Sequence, residues 1–213
     1  NMKTQIRIST LRAAIHCAAT KDVRHLINGV YLEFVHGEVP HINVVSTTGA
    51  ILSAFREPLE YMDDAQTADW SIIVPLDAIK TAIKGVGKHL KHLTIESLPD
   101  GRYVLGDTIF SAIDGIYPTY RRVIPAHDAP RCTADNIPVC DPDLMVKGKA
   151  ALADFYGWKK DGNAQIFYGD RIVTMHAGAS GAVIVVMPLS MDNVTYSHNS
   201  DSYQGFNGYF SEE

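Results

Sequence analysis

Among the residues of this chain that could carry chemistry, the cluster Gly85-Val86-Gly87-Lys88 comes first, because glycines beside a lysine can cradle phosphate. A phosphate loop also needs a glycine five residues before Gly87, which is missing, and a Ser or Thr where His89 stands. Gly178-Ala179-Ser180-Gly181 is one residue out of register for a nucleophile elbow. His16-Cys17 suggests a reactive thiol, but a cysteine among helical apolar positions is expected to face a core. The nine histidines are scattered, and His89 and His92, set among lysines, are expected at the surface rather than as ligands. Three cysteines, Cys17, Cys132 and Cys140, make neither a disulfide framework nor a four-ligand zinc site. No carboxylate pair has a spacing suited to acid–base work. The expectation is a non-enzymatic chain without cofactor or metal. Binding chemistry remains. Lys80, Lys84, Lys88 and Lys91 recur at helical spacing, a pattern that is usually a solvated face and can also track phosphates.

The elements that must position these residues form a crude repeat. With 213 residues, 46% hydrophobic and 20% charged, the chain can bury an ordinary core in one or two domains. No apolar run approaches a membrane span and no signal-peptide pattern opens the chain, so a cytoplasmic location without membrane contact is expected. A net charge of -5 argues only weakly against nucleic acid, because distribution matters more than the sum.

Three units are read, each a short strand, a helix, then two or three strands. The first has strands at 5–8, 30–34, 42–45 and 51–55, with a helix capped by Ser9 or Thr10 and reaching about Thr20. The second opens at 70–74, and Pro75 starts a helix with Leu76, Ile79, Ile83 and Val86 toward the core, ended by Gly85 and Gly87. Strands follow at 93–97, 102–105 and 108–113. The third starts near Ile137, with Asp141-Pro142 opening a helix and strands at 165–168, 172–175 and 181–187. Residues 105–125 bind the pattern together: a strand, an Asp114-Gly115 turn, then Pro118 and Pro125 enforcing an extended path. The fold class expected is α+β.

The run DGIYPTYRRVIP (114–125) resembles the segment that closes the middle domain of the bacterial DNA polymerase III β subunit, the sliding clamp. Further motifs follow in order. KDVRHLINGVYLEF (21–34) is similar to that family's arginine, two large residues and Leu-Asn-Gly before a strand. Residues 46–52 occupy the place of its Ala-Thr-Asp-Gly-His-Arg-Leu loop, 72–75 match its Ile-Ile-Val-Pro, and 182–189 look like its closing strand. The resemblance implies a DNA-clamp domain at 3–126, a half-domain at 132–190 similar to the second half of the family's last domain, and an acidic, aromatic tail at 191–213.

Carried over residue by residue, the resemblance implies a peptide-binding pocket of Ile27, Thr47, Gly49, Leu52, Pro118, Arg122, Val123, Val185, Met187 and Pro188. Prolines, a flexible methionine and aliphatic chains suit a leucine and an aromatic of a short polymerase or clamp-loader peptide. The family's His-Arg pair is here Ala50-Ile51, which removes a cation and makes the pocket greasier. A DNA-facing track is implied for Arg12, Lys21, Arg24, Lys80, Lys84, Lys88 and Lys91, with double-stranded DNA as the less secure partner. Sliding clamps close rings of twelve such units, so a homo-oligomer is expected, either a tetrameric ring or a dimer paired through its half-domains; a monomer would have to cover the third unit's sheet edge, with the 191–213 tail as the candidate cover. The tail carries Gln204-Gly205-Phe206 and Tyr209-Phe210, loosely similar to clamp-binding peptides and an expected occupant of its own or a neighbour's pocket. The alternative is a decoy or regulator, encoded by a mobile element, that competes for clamp-binding peptides without encircling DNA.

Overall fold

The computed structural model describes residues 2–59, 69–87, 89–126, 128–133, 138–159, 162–169, 172–177 and 181–189. Its architecture follows from strands whose apolar residues alternate and helices short enough to lie across them. Strand β1 (Lys3–Arg7) buries Thr4 and Ile6 and leads straight into helix α1 (Ile8–Ile15). Strands β2 (Gly29–Val35), β3 (His41–Thr47) and β4 (Ile51–Pro58) follow as an antiparallel meander. The second unit repeats this order with β5 (Trp70–Pro75), α2 (Leu76–Lys84), β6 (His92–Ser97), β7 (Tyr103–Leu105) and β8 (Thr108–Phe110). The third contributes α3 (Pro142–Tyr156), β9 (Gln165–Tyr168), β10 (Val173–His176) and β11 (Ala182–Val186). The expected α+β class stands.

The first two units exchange their leading strands. β1 pairs with β6, giving a four-stranded sheet β1-β6-β7-β8, and β5 pairs with β2. The second sheet then runs on into the third unit as β5-β2-β3-β4-β11-β10-β9. The seam between β4 and β11 is regular antiparallel ladder, from Ala182 opposite Phe55 to Val186 opposite Ile51. One apolar cluster links all three units, drawing on Leu11 and Ala14 of α1, Ile79 of α2, Leu152 of α3 and Ile184 of β11. Phe55 stacks on Phe155 at 4.8 Å, so the helix of the third unit is packed against the sheet of the first.

Several boundaries differ from the sequence reading for local physical reasons. Helix α1 stops at Ile15 instead of near Thr20, and the next turn tightens through His16 N–H to the Ala13 carbonyl and Cys17 N–H to that of Ala14. Neither Ser9 nor Thr10 caps it, since the helix begins at Ile8 and the Thr10 hydroxyl bonds Glu57 at 2.7 Å. Glu57 is buried, and also accepts from the Arg7 backbone at 3.1 Å and from its guanidinium. Helix α3 starts as expected: Asp141 accepts from Asp143 N–H, with Pro142 in the first turn. β8 ends at Phe110 and not at Ile113, leaving the next residues free to cross the sheet.

Candidate functional site

Residues 113–124 form a strap across the face of the seven-stranded sheet that looks away from the helices. It turns at Gly115, whose φ of 134° strains any larger residue and where an added Cβ, 2.5 Å from the Leu26 side chain, would force that leucine to shift. Tyr117 then stacks flat on Tyr31 of β2, with ring centroids 4.8 Å apart. A single 3-10 turn, Tyr120–Arg122, follows and is tied down by Glu33. The Glu33 carboxylate accepts from the Tyr120 hydroxyl at 2.7 Å, from both arms of Arg121, and from Asn43 at 2.9 Å. Partial burial pushes this carboxyl up, but the hydrogen bonds from Arg121, Tyr120 and Asn43 together outweigh it and hold it below the usual range. Arg121 is thereby committed to the strap, while Arg122 is exposed.

Between the strap, the turn after β3 and the end of β11 lies a cavity of about 360 Å³. Eight of the ten residues expected around a pocket line it: Ile27, Thr47, Gly49, Leu52, Pro118, Val123, Val185 and Met187. Arg122 and Pro188 are not among the lining residues. Ile51, expected to make the pocket greasier, lines it too, as do Arg24, Leu26, Tyr117, Thr119 and Tyr120, which were missed. The tyrosines were readable, since they flank Pro118 within the strap; Leu26 carries no comparable signal. The floor is buried aliphatic surface, with Ile27, Leu52 and Val185 each under 7% exposed. The mouth is partly exposed apolar surface: Met187 is 41% and Val123 37% exposed.

Polar groups at this cavity are few and placed. The Thr47 hydroxyl donates to the Ile51 carbonyl at 2.7 Å and accepts from Gly49 N–H at 2.9 Å, folding the rim turn. Gly49 has φ +90°, and an added Cβ would stand 2.7 Å from the Arg24 guanidinium. That guanidinium donates to Asp22 and to the Thr48 carbonyl, each at 2.9 Å. Hydrogen bonds from Arg24 draw the Asp22 carboxyl down to about 2. Arg24, expected on a DNA-facing track, therefore stands at the cavity rim. The Tyr117 hydroxyl is buried and has no hydrogen-bond partner among the described residues, and burial pushes its pKa up.

The helix face is less continuous than the lysine spacing implied. Helix α2 ends at Lys84 and is capped by Gly85, so the four lysines do not share a helix. Lys80 and Lys84 are exposed on it; Lys91 lies in the following loop, with its carbonyl bonded to Ile8 N–H at 2.8 Å. Lys88 lies outside the described residues. Arg12 on α1 is exposed, as are Lys147 and Lys149 on α3, against exposed Asp77 and Asp143. Lys21 is exposed in the loop after α1. The same helix end disposes of the phosphate-loop hint, because Gly85 closes a helix where an anion cradle would open one. Cys17 is fully buried and its thiol is pushed up to about 12 by burial, which leaves it unreactive. The 191–213 tail, with Gln204, Phe206, Tyr209 and Phe210, lies outside the described residues.

No family model matches the sequence, and no curated protein does. The fold, by contrast, is that of the DNA polymerase III β sliding clamps. The chain superposes on the β subunit of Pseudomonas aeruginosa with a TM-score of 0.63 at 17% identity, covering 89% of this chain and 66% of that one. The β subunit of Thermotoga maritima gives 0.64 at 13% identity, with 89% and 66% covered. A sliding clamp from Bartonella birtlesii bound to griselimycin gives 0.63 at 17%, again with 89% and 66%. The chain thus spans just under two thirds of the clamps it matches.

Proposed function

We propose that this is a non-catalytic, clamp-like protein of DNA replication that binds short peptides of polymerase or clamp-loader proteins in the cavity between the strap and the end of β11. The observation that carries the reading is the cavity itself: preformed, apolar in its floor, and open through Met187 and Val123. An extended peptide could place a leucine and an aromatic ring there, and the Tyr117 hydroxyl, unpaired among the described residues, could bond its backbone once the strap gives way slightly. Exposed Arg122 supplies a cation near the rim for a glutamine or a carbonyl.

Contact with duplex DNA belongs to the same reading, through Arg12, Lys80, Lys84, Lys147 and Lys149 on the helix face, as a non-specific, salt-screened interaction. A second reading is a regulator that competes for clamp-binding peptides without encircling DNA. The shortened lysine track favours it.

The test is fluorescence polarisation with a labelled pentapeptide that starts with glutamine and ends in leucine and phenylalanine. Saturable binding is expected, displaced by griselimycin, the ligand of the Bartonella clamp. Met187→Glu, at a half-exposed position, is expected to weaken it at least tenfold, about 1.4 kcal/mol. Equal binding by wild type and variant overturns the cavity as the peptide site.

A further inference from the structure

We propose that the third unit is one half of a two-unit domain, completed by the third unit of a second copy of this chain across the open edge of β9. The template is within the molecule. In the first domain, each leading strand crosses to the other unit: Arg7, directly before α1, stands opposite His92, the first residue of β6. Reciprocally, Pro75, directly before α2, stands opposite Gly29, the first residue of β2. Two identical units would make both exchanges about one two-fold axis, an isologous arrangement.

The third unit holds both the donor and the acceptor of this exchange. The donor is the stretch before α3. The Ile113 N–H, three residues past β8, bonds at 3.0 Å to the carbonyl of Ile73, three residues before α2. The Leu189 N–H, three residues past β11, bonds at 2.8 Å to the carbonyl of Val139, three residues before α3. The chain entering α3 is therefore held on its own unit as β5 is held, yet among the described residues it has no acceptor strand.

The acceptor is β9. Ile166 and Tyr168 stand opposite Met175 and Val173, which are buried in the main core, so they share its face. The corresponding residues of β2, Val30, Leu32 and Phe34, are at most 1% exposed, and Leu93 and Ile95 of β6 at most 4%. Ile166 is 43% and Tyr168 40% exposed. Phe34 is covered by Trp70 of the exchanged strand, ring to ring at 3.6 Å; among the described residues nothing comparable covers β9. Its outer edge is met only near its end, by a bridge from Arg131 to Gly169 and the Cys132 N–H to the Tyr168 carbonyl, among the described residues. Val146 of α3, in the same unit, is 67% exposed. An open edge with core-facing apolar residues exposed is the surface an identical unit fits. It lies on the opposite sheet face from the peptide cavity and does not depend on it.

The first domain also supplies the register. Asp141, directly before α3, is placed opposite Gln165 of the other copy, which sets Cys140 opposite Ile166. The experiment is therefore Ile166→Cys in a Cys132→Ser background, oxidised and run without reductant, beside light scattering of the wild type. A dimer mass is expected, with a disulfide-linked dimer that disappears when Cys140→Ser is added. Ile166→Glu, at a half-exposed position, is expected to raise the concentration for half-dimerisation at least tenfold with an unchanged circular dichroism spectrum. A monomer mass at all concentrations, a disulfide formed within one chain, or a dimer indifferent to Ile166→Glu overturns the proposal.

Discussion

On the peptide-binding reading, one atom of Tyr117 would trade stability for binding. Its ring is held by stacking on Tyr31, but its hydroxyl is buried without a partner among the described residues. An unsatisfied buried hydroxyl costs roughly 1–3 kcal/mol, and removing it together with its polarity recovers part of that. Tyr117→Phe is therefore expected to stabilise the free protein by about 1 kcal/mol in urea unfolding. If the peptide reading holds, the same variant is expected to weaken the pentapeptide several-fold, through loss of the hydroxyl proposed to meet the peptide backbone. A variant that is neither more stable nor weaker in binding would show that the hydroxyl finds another partner. The lysines teach the opposite lesson at this scale. Spacing alone aligned Lys80, Lys84, Lys88 and Lys91, whereas the glycines between them end the helix after Lys84.

At the scale of elements, the strap depends on Glu33. Its carboxyl has a lower pKa in the folded chain than in the unfolded one, so the unfolded chain takes up its proton first as the pH falls. The contribution is complete above the ordinary glutamate value of about 4.3 and is lost as the pH falls through the folded value. Thermal unfolding of Glu33→Gln is expected to start lower than wild type at neutral pH. The gap should narrow in acid, where wild type loses the same charge. A gap independent of pH would mean that packing of Tyr117 and Tyr120, and not the carboxylate, holds the strap. The strap's existence was legible, since Pro118, Pro125 and Asp114-Gly115 dictate an extended crossing after a turn. Its anchor was not. Nothing in sequence spacing joins Glu33 to Tyr120 and Arg121; only the stacking of the strap on β2 brings them together.

For the whole molecule, the helices of all three units pack into one core, and each leaves cations exposed on its outer surface. If that surface meets duplex DNA, each phosphate contact contributes about 0.9 to the slope of log affinity against log salt concentration. The double variant Lys80→Glu, Lys84→Glu is expected to reduce that slope by about 2 in a filter-binding salt titration. An unchanged slope would leave the helix face as solvated surface and favour the regulator reading.

The chain's own order of residues determined its local grammar. Alternating apolar positions, Asp141-Pro142 before α3, and the glycines and prolines that end elements imposed strands, helices and turns in three successive units, because those effects act within a few residues. Motifs in the right order then identified the fold and most of the cavity's lining. Only the tertiary structure decided what depends on distant residues meeting: the exchange of β1 and β5 between units, the β4–β11 seam, the Glu33 anchor, and the exposure of Ile166 and Tyr168 on β9. Burial and hydrogen-bond closure are properties of contacts across the chain, and a strand reads the same in sequence whether or not another strand covers its edge.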